Sequence, residues 1–217
     1  EKLDSLEVGA KMVLDGGRLE LNSALFHNKY KNVQLSVFTS YTQPNGLPGF
    51  FGDFTNAGKA TVYGAELEFL WMPSPAWRLS GNLSGIHAKY DEYIDRGVNV
   101  ADQKKFSNTP KFQAAINIEH NAQAPFGGLL RSRLGVSYRS KVYPTTDLSE
   151  SLAQSGYALL NAGLIWERSS RLSFFLQGAN LTNKAYKTDG YNIASLGVLD
   201  AFYGPPRTYT VGGTYKF

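Results

Sequence analysis

An all-β, antiparallel up-and-down transmembrane barrel is the fold class this sequence predicts, and three observations predict it. Side chains along a strand point alternately to opposite faces, and nine segments of the chain repeat that apolar and polar alternation. The connections between those segments are alternately short and long. The closing residues TYTVGGTYKF keep the pattern to the last aromatic, with Tyr209, Val211, Tyr215 and Phe217 opposite Thr208, Thr210, Gly212, Thr214 and Lys216, where the end of a soluble chain usually frays.

Composition agrees with that class and excludes others. With 217 residues, 42% hydrophobic and 18% charged, the chain is long enough for one domain and too apolar to be disordered. Its 22 Gly, 13 Tyr and 13 Phe beside 2 Met favour strands over helices. No apolar run approaches the ~18 residues of a membrane helix. The longest uncharged stretch, Asn32 to Gly52, is broken by Gln43, Pro44, Asn45, Gly46, Pro48 and Gly49. A barrel strand puts only every second residue in lipid, so a membrane location stays open. The absence of cysteine removes disulfide frameworks, thiolate metal sites and cysteine nucleophiles. A net charge of +4 spread without a basic block gives no support to nucleic-acid binding. Glu1-Lys2-Leu3-Asp4 opens on charge with no leader, which predicts a removed leader or a preceding part of a longer chain.

In order along the chain, residues 6–14 set Leu6, Val8, Ala10, Met12 and Leu14 against Glu7, Gly9 and Lys11, and Asp15-Gly16-Gly17 turns. Residues 18–38 begin with Leu19 and Leu21 opposite Glu20 and Asn22, but both faces become apolar at Leu25 and Phe26. Residues 60–72 oppose Tyr63, Ala65, Leu67, Phe69 and Trp71 to Gly64, Glu66 and Glu68, until Pro73-Ser74-Pro75 breaks the ladder. Trp77 to Tyr90 returns. Residues 111–121 set Phe112, Ala114, Ile116 and Ile118 against Lys111, Gln113, Asn117 and Glu119, and Gly127-Gly128 closes that turn. Residues 130–143 oppose Leu134, Val136 and Tyr138 to Arg131, Arg133, Ser137 and Arg139. Residues 157–167, a turn at 168–171, a strand from Leu172 and a last strand after Pro205-Pro206 complete the set.

Short connections near 15–17, 73–76, 122–128 and 168–171 thus interleave with long ones near 39–59, 91–110, 144–156 and 184–204. An outer-membrane barrel has short turns on one rim and long loops on the other, and the last strand then runs toward the short-turn rim. Most segments reach the ~9–11 residues that a tilted strand needs to cross hydrocarbon. Aromatics near strand ends, among them Trp71, Trp77, Tyr138 and Trp166, suit two interfacial girdles. The same alternation would also serve a soluble β-sandwich binding carbohydrate through loop aromatics, which insolubility without detergent would exclude.

Three stretches together resemble the C-terminal half of TonB-dependent outer-membrane receptors: NAGKATVYGAELEF (Asn56 to Phe69), GANLTNKAY (Gly178 to Tyr186) and YGPPRTYTVGGTYKF (Tyr203 to Phe217). The opening Glu7-x-Gly9-x-Lys11 and Ser107-Asn108-Thr109-Pro110-Lys111 are similar to the family as well. The resemblance implies about nine C-terminal strands of a plugged barrel of roughly 22 strands, in residues 1–217, with the plug domain and the N-terminal TonB box absent from this chain. It implies a transporter of the siderophore-receptor type and not an enzyme, taking up a ferric siderophore or similar chelate with energy relayed by TonB. The partners so implied are the remaining strands and plug of the same receptor, TonB through the missing N-terminus, the barrel-assembly machinery, and the bilayer with its lipopolysaccharide in the Gram-negative outer membrane. A barrel that does not transport, such as an adhesin or an outer-membrane hydrolase, is the alternative within the membrane. Nine strands alone would leave an open edge, so the segment is expected not to close into a barrel by itself.

Candidate sites follow. Glu66 and Glu68, two apart on one strand, point into one space; they read as lumen-lining or plug-facing charge, with Arg131, Arg133 and Arg139 as counter-charges, in preference to a metal or acid–base pair. His27, His87 and His120 have no ligand spacing, and no metal or cofactor site is expected. No nucleophile elbow, phosphate loop or zinc-protease signature supports catalysis. Long-loop aromatics Tyr41, Phe50, Phe51, Phe54, Tyr143, Tyr191, Phe202 and Tyr203 are the substrate-contact candidates, since aromatic faces among scattered Lys and Arg suit a flat anionic chelate. By family resemblance, Tyr209, Val211, Tyr215 and Phe217 form the signal read by the assembly machinery through strand addition. The sequons at Asn82 and Asn180 are discounted as accidental in such a setting.

Overall fold

The computed structural model describes residues 1–217 except 57, 96, 147 and 194–196, with backbone alone for 35–40, 48 and 50–55. Its principal element is one antiparallel sheet of nine consecutive long strands: β1 (Lys2–Leu14), β2 (Leu19–Lys31), β5 (Gly58–Ser74), β6 (Trp77–Asp95), β8 (Phe112–Gln123), β9 (Leu129–Arg139), β10 (Tyr157–Glu167), β11 (Leu172–Ala179) and β14 (Thr208–Tyr215). Two hairpins stand outside it, β3 (Gln34–Thr42) with β4 (Pro48–Asn56) and β12 (Lys187–Ile193) with β13 (Val198–Tyr203), while β7 (Val98–Asn99) pairs the end of β6. All nine expected strands are present, and tight turns alternate with long excursions as anticipated. We call these sides the turn rim and the loop rim.

Register makes the sheet two-faced throughout. Cross-strand partners in an antiparallel sheet share a face. One such row runs Met12, Leu21, Phe69, Gly81, Ile116 and Val136, and on to Leu160. Another joins Leu130, Trp166 and Phe174 near the turn rim. The opposite face carries Asn22, Glu68, Asn82 and Ala115 in one row and Glu119, Arg133, Gly163, Gln177 and Thr210 in another. The apolar face is uncovered: Leu25 is 63% exposed, Ile116 45% and Val211 80%. A sandwich would cover that face with a second sheet, and among the described residues none does so; an uncovered apolar face of this extent is one a lipid environment would cover. The sheet is open, with β1 and β14 as its edges.

Two strand ends and one residue's facing differ from the simple pattern. The strand expected over 18–38 stops at Lys31, because Asn32 adopts φ 55° and the chain re-enters as β3. The conflict at Leu25 and Phe26 is resolved across the sheet. Phe26 lies on the polar face over Gly64, where a built Cβ would come 2.8 Å from the ring, so a glycine supplies the space for an aromatic that simple alternation would not put there. The segment expected over 130–143 ends at Arg139, and its remainder carries an isolated bridge of Val142 with Gln154.

The apolar face carries aromatic bands near both rims. At the turn rim Trp77 packs on His120 at 4.2 Å between centroids, and Trp166 meets Phe126 edge-on at 4.7 Å while its indole N–H donates to the Gly127 carbonyl at 2.8 Å. Toward the loop rim His27, Tyr63 and His87 stack in a row at 6.3 and 4.8 Å. The three histidines are therefore members of these bands. Tyr63 to Trp71 is eight steps of ~3.3 Å, about 26 Å along the strand, which a tilt of ~40° projects to about 20 Å, inside the ~25 Å apolar band of outer-membrane barrels.

Candidate functional site

The polar face gathers the charged candidates. Arg133 donates through Nε and Nη2 to Glu119 Oε1 at 3.1 and 2.8 Å, and Arg131 pairs with Glu167 at 3.1 Å. Arg139 donates to the Asn108 carbonyl. Glu66 and Glu68 share this face, opposite Ser84 and Asn82, but among the described residues no ion pair joins either to an arginine. Within the sheet the register places Glu119 and Glu167 within reach of Arg133 and Arg131, while Glu66 and Glu68 lie on β5, three strands from β9. Beside these pairs lies a cavity of about 460 Å³ lined by Asn117, Arg133, Gly135, Asn161, Gln177 and Thr210. Its amides and hydroxyls are what a wetted wall presents, and Gly135 deepens it. Among the described residues no three His, Asp or Glu gather as a metal would require.

The substrate-contact candidates divide among separate elements of the loop rim. Tyr41 lies on β3, half exposed, with its ring over Gly49. Phe50, Phe51 and Phe54 fall on β4, and their side chains lie outside the described residues. Tyr191 and Phe202 meet edge-on at 5.7 Å on the β12–β13 hairpin, and Tyr203 beside them is exposed. Tyr143 belongs to a third group: its hydroxyl donates to Glu150 Oε1 at 2.6 Å, and Lys141 donates to Glu150 Oε2 at 2.8 Å while lying 4.8 Å over the Tyr143 ring. The Lys141 hydrogen bond, followed by that of Tyr143, holds the Glu150 carboxyl below its ordinary value.

The terminal candidates Tyr209, Val211 and Tyr215 line the apolar face of β14, exposed, and Phe217 follows edge-on to Tyr215 at 5.3 Å.

Alternation alone did not single out two parts of the loop rim. Tyr90 and Tyr93 of β6 are 6% and 2% exposed and pack with Val33, Ala60 and Phe106 into a small core on the polar side. The GANLTNKAY stretch is a structural knot. Asn180, 4% exposed at φ 49°, donates through Nδ2 to the Lys184 and Pro205 carbonyls at 2.9 and 3.0 Å and accepts from Lys184 N–H at 2.8 Å. Its own N–H donates to Asn161 Oδ1 at 2.9 Å. The density of Asn and Thr in that stretch was the available signal, since such side chains cap turns.

Comparison with known proteins gives these features a context. The family model described as "TonB dependent receptor-like, beta-barrel" matches residues 1–181. Proteins named pesticin receptor, from Yersinia enterocolitica and Yersinia pestis, are each 27% identical over 206 residues, 94% of this chain and 28% of theirs. Among solved structures, the ferric yersiniabactin uptake receptor FyuA from Yersinia pestis superposes with a TM-score of 0.75 at 24% identity, over 99% of this chain and 30% of that one. The siderophore receptor PiuA from Acinetobacter baumannii gives 0.73 at 20%, over 99% and 28%. The chain thus spans less than a third of the length of these relatives.

Proposed function

Since the chain belongs to the TonB-dependent receptor-like β-barrel family, we propose that it forms the C-terminal wall of an outer-membrane receptor that imports a ferric siderophore or similar metal chelate with energy relayed by TonB. One observation carries this reading: the register joins nine strands into a single uninterrupted apolar face backed by a polar one. Lipid covers the first face, and a water-filled interior with a plug covers the second, which carries Glu66, Glu68, Arg131, Arg133 and Arg139. The reading is of a transporter and not an enzyme, set in the Gram-negative outer membrane.

The open edges at β1 and β14 carry unpaired backbone groups that hydrocarbon cannot satisfy, so further strands of the same receptor close the barrel. The final strand with Tyr209, Val211, Tyr215 and Phe217 serves as the assembly signal. Ligand meets the loop rim through aromatics of the two hairpins, from Tyr41, Phe50, Phe51 and Phe54 to Tyr191, Phe202 and Tyr203, with Tyr143 between them. Single cysteines at Leu67, Ile116 and Leu134 of the complete receptor should react with lipid-borne probes, and those at Glu66, Gln113 and Arg133 with water-borne ones. The reverse pattern, or uptake of ferric chelates unchanged when the gene is deleted, overturns the proposal.

A further inference from the structure

The β3–β4 hairpin at the loop rim closes on a tip with chemistry of its own. Across that tip the Gln43 N–H donates to the Leu47 carbonyl at 2.9 Å, and the Gly46 N–H donates to the Gln43 carbonyl at 2.9 Å. Pro44 and Asn45 are therefore the central residues of a β-turn, and Gly46 follows at φ 79°, a conformation glycine adopts without penalty. Asn45-Gly46 is the one Asn-Gly pair in the sequence.

The surroundings of the Asn45 side chain favour attack on it. Its Oδ1 accepts from the Leu47 N–H at 3.0 Å, so a backbone donor polarises the amide carbonyl. Its Nδ2 has no partner among the described residues. Asn45, Gly46 and Leu47 are all exposed, and a Cβ built at Gly46 would meet nothing within 4 Å, so no side chain crowds the Gly46 nitrogen.

These are the parts of an intramolecular acyl substitution. Once solvent base removes its proton, the Gly46 nitrogen bonds to Asn45 Cγ and closes a five-membered ring, and the charge that develops falls on Oδ1, where the Leu47 N–H already donates. The bond from Cγ to Nδ2 then breaks, and the nitrogen takes up a proton and leaves as ammonia. Water opens the succinimide at either carbonyl, to aspartate or isoaspartate at position 45; one water is consumed for each ammonia released, and nothing is oxidised or reduced. The Gly46 hydrogen bond to Gln43 must open first, which costs little at an exposed tip where no strand pair has to part. The two Asp-Gly pairs lack this arrangement. Asp15 is held by Arg18, and Gly190 is buried in the β12–β13 ladder with its N–H on Asp189 Oδ1 at 2.8 Å. Both would also begin from a carboxylate, whose charge repels the attacking nitrogen.

We propose that Asn45 is a site of intramolecular deamidation, and that its conversion unlatches the tip of the β3–β4 hairpin. Isoaspartate carries the chain through Cγ, which lengthens the backbone by one carbon and moves the acceptor away from the Leu47 N–H. The closing pair of Gln43 with Leu47 then loses its register. A negative charge appears on the same hairpin as Tyr41, where the described structure has a neutral amide. The chemistry is independent of what the receptor imports.

The test ages the complete receptor in detergent, in warm and mildly alkaline buffer, and maps its peptides by mass spectrometry. The peptide holding Asn45 should gain about one mass unit and become a substrate for isoaspartyl methyltransferase. Peptides holding Asn108 and Asn180, whose following residues Thr109 and Leu181 crowd the next nitrogen, should stay unchanged. The rate should rise about tenfold per pH unit and lie within about tenfold of that in the urea-unfolded receptor. Gly46→Ala should slow conversion about tenfold or more by obstructing the attack. Asn45→Gln, which would need a six-membered ring, should abolish it and serves as the control if Gly46→Ala fails to assemble. Hydrogen exchange at Gln43 and Leu47 should be faster in the converted receptor. An Asn45 that persists in the folded receptor while it converts in urea, a Gly46→Ala variant that converts at the original rate, or equal conversion at Asn108 or Asn180 overturns the site. Unchanged exchange at Gln43 and Leu47 after full conversion overturns the unlatching.

Discussion

At the turn rim the chain reverses within a few residues, and at the loop rim it travels up to a whole hairpin before returning. Asp15, Gly16 and Gly17 take φ of 52°, 63° and 91°, and Gly127 and Gly128 both take 84°, so the backbone's own conformation makes these turns. At the loop rim closure depends on groups far apart in sequence. Asn180 ties Lys184 to Pro205, and Gln154, 7% exposed, accepts from the Lys187 N–H at 2.7 Å while Leu152, 1% exposed, packs against Gly190. The comparison teaches that one rim is held by local sterics and the other by a few buried polar and apolar anchors. Substitutions at the two rims should accordingly fail in different ways.

The largest effect is expected at Asn180. Asn180→Asp keeps the acceptor for Lys184 N–H but sets a carboxylate oxygen against the Lys184 and Pro205 carbonyls, which the amide now satisfies. A buried carboxylate that keeps one donor while its other oxygen faces two carbonyls costs ~3–5 kcal/mol. The complete receptor carrying it should unfold at clearly lower urea in lipid vesicles, and an unchanged midpoint would mean that the knot does not hold the rim. Next comes Leu152→Ala, which empties a buried site between the 140–156 excursion and the β12–β13 hairpin. The expected loss is ~2–4 kcal/mol, visible as faster hydrogen exchange at Lys187 and Gly190 with the β8–β9 amides unaffected.

The turn rim should respond less, and according to the space at each glycine. At Gly128 a Cβ would overlap the Glu167 carbonyl oxygen and come within 2.9 Å of Arg168 Cα, so Gly128→Ala combines a positive φ with a backbone clash and should cost ~1–3 kcal/mol. At Gly16 nothing lies within 4 Å, and Gly16→Ala should cost only the ~1 kcal/mol of the unfavourable φ. Equal midpoints for these two variants would remove the steric account of the turn rim.

How much of this was legible follows the same division. The nine strands, the two faces and the alternation of turns and excursions rest on period-two patterning and on Gly-rich dipeptides, which act locally and are visible in sequence. Phe26 was not legible because its place depends on Gly64, thirty-eight positions on and one strand across. The first strand of the β12–β13 hairpin was hidden in a segment read as a plain loop, because it carries no apolar face to alternate: Lys187–Ile193 reads KTDGYNI. Of the candidate residues, the sequence placed the polar-face charges on their strands but did not name Glu119 and Glu167 as partners of Arg133 and Arg131, because pairing depends on strand register and not on strand identity.

The smallest effect separates the two rims by pH. Glu150, fully at the surface, is held below its ordinary value of 4.5 by hydrogen bonds from Lys141 and Tyr143, and Lys141 is held above its ordinary 10.5 by Glu150 first and Tyr143 second. The sign for a depressed carboxylate is that its contribution is complete above the ordinary value and is lost as pH falls through the lowered one; for the raised lysine it is complete below 10.5 and lost as pH rises through the raised value. This clasp of the loop rim is therefore intact across the neutral range and opens in acid below 4.5. The turn at Asp15–Gly17, made by backbone geometry, should keep its shape over that interval. A carbon-13 titration of the Glu150 carboxyl should show a midpoint below 4.5, and Lys141→Met should return most of the shift and Tyr143→Phe a smaller part. Because the pair is open to solvent, the global unfolding midpoint should hardly move. A Glu150 midpoint at the ordinary value in the unmodified receptor would show that the clasp is not formed in solution, and Tyr143 would then be free to turn toward an arriving ligand.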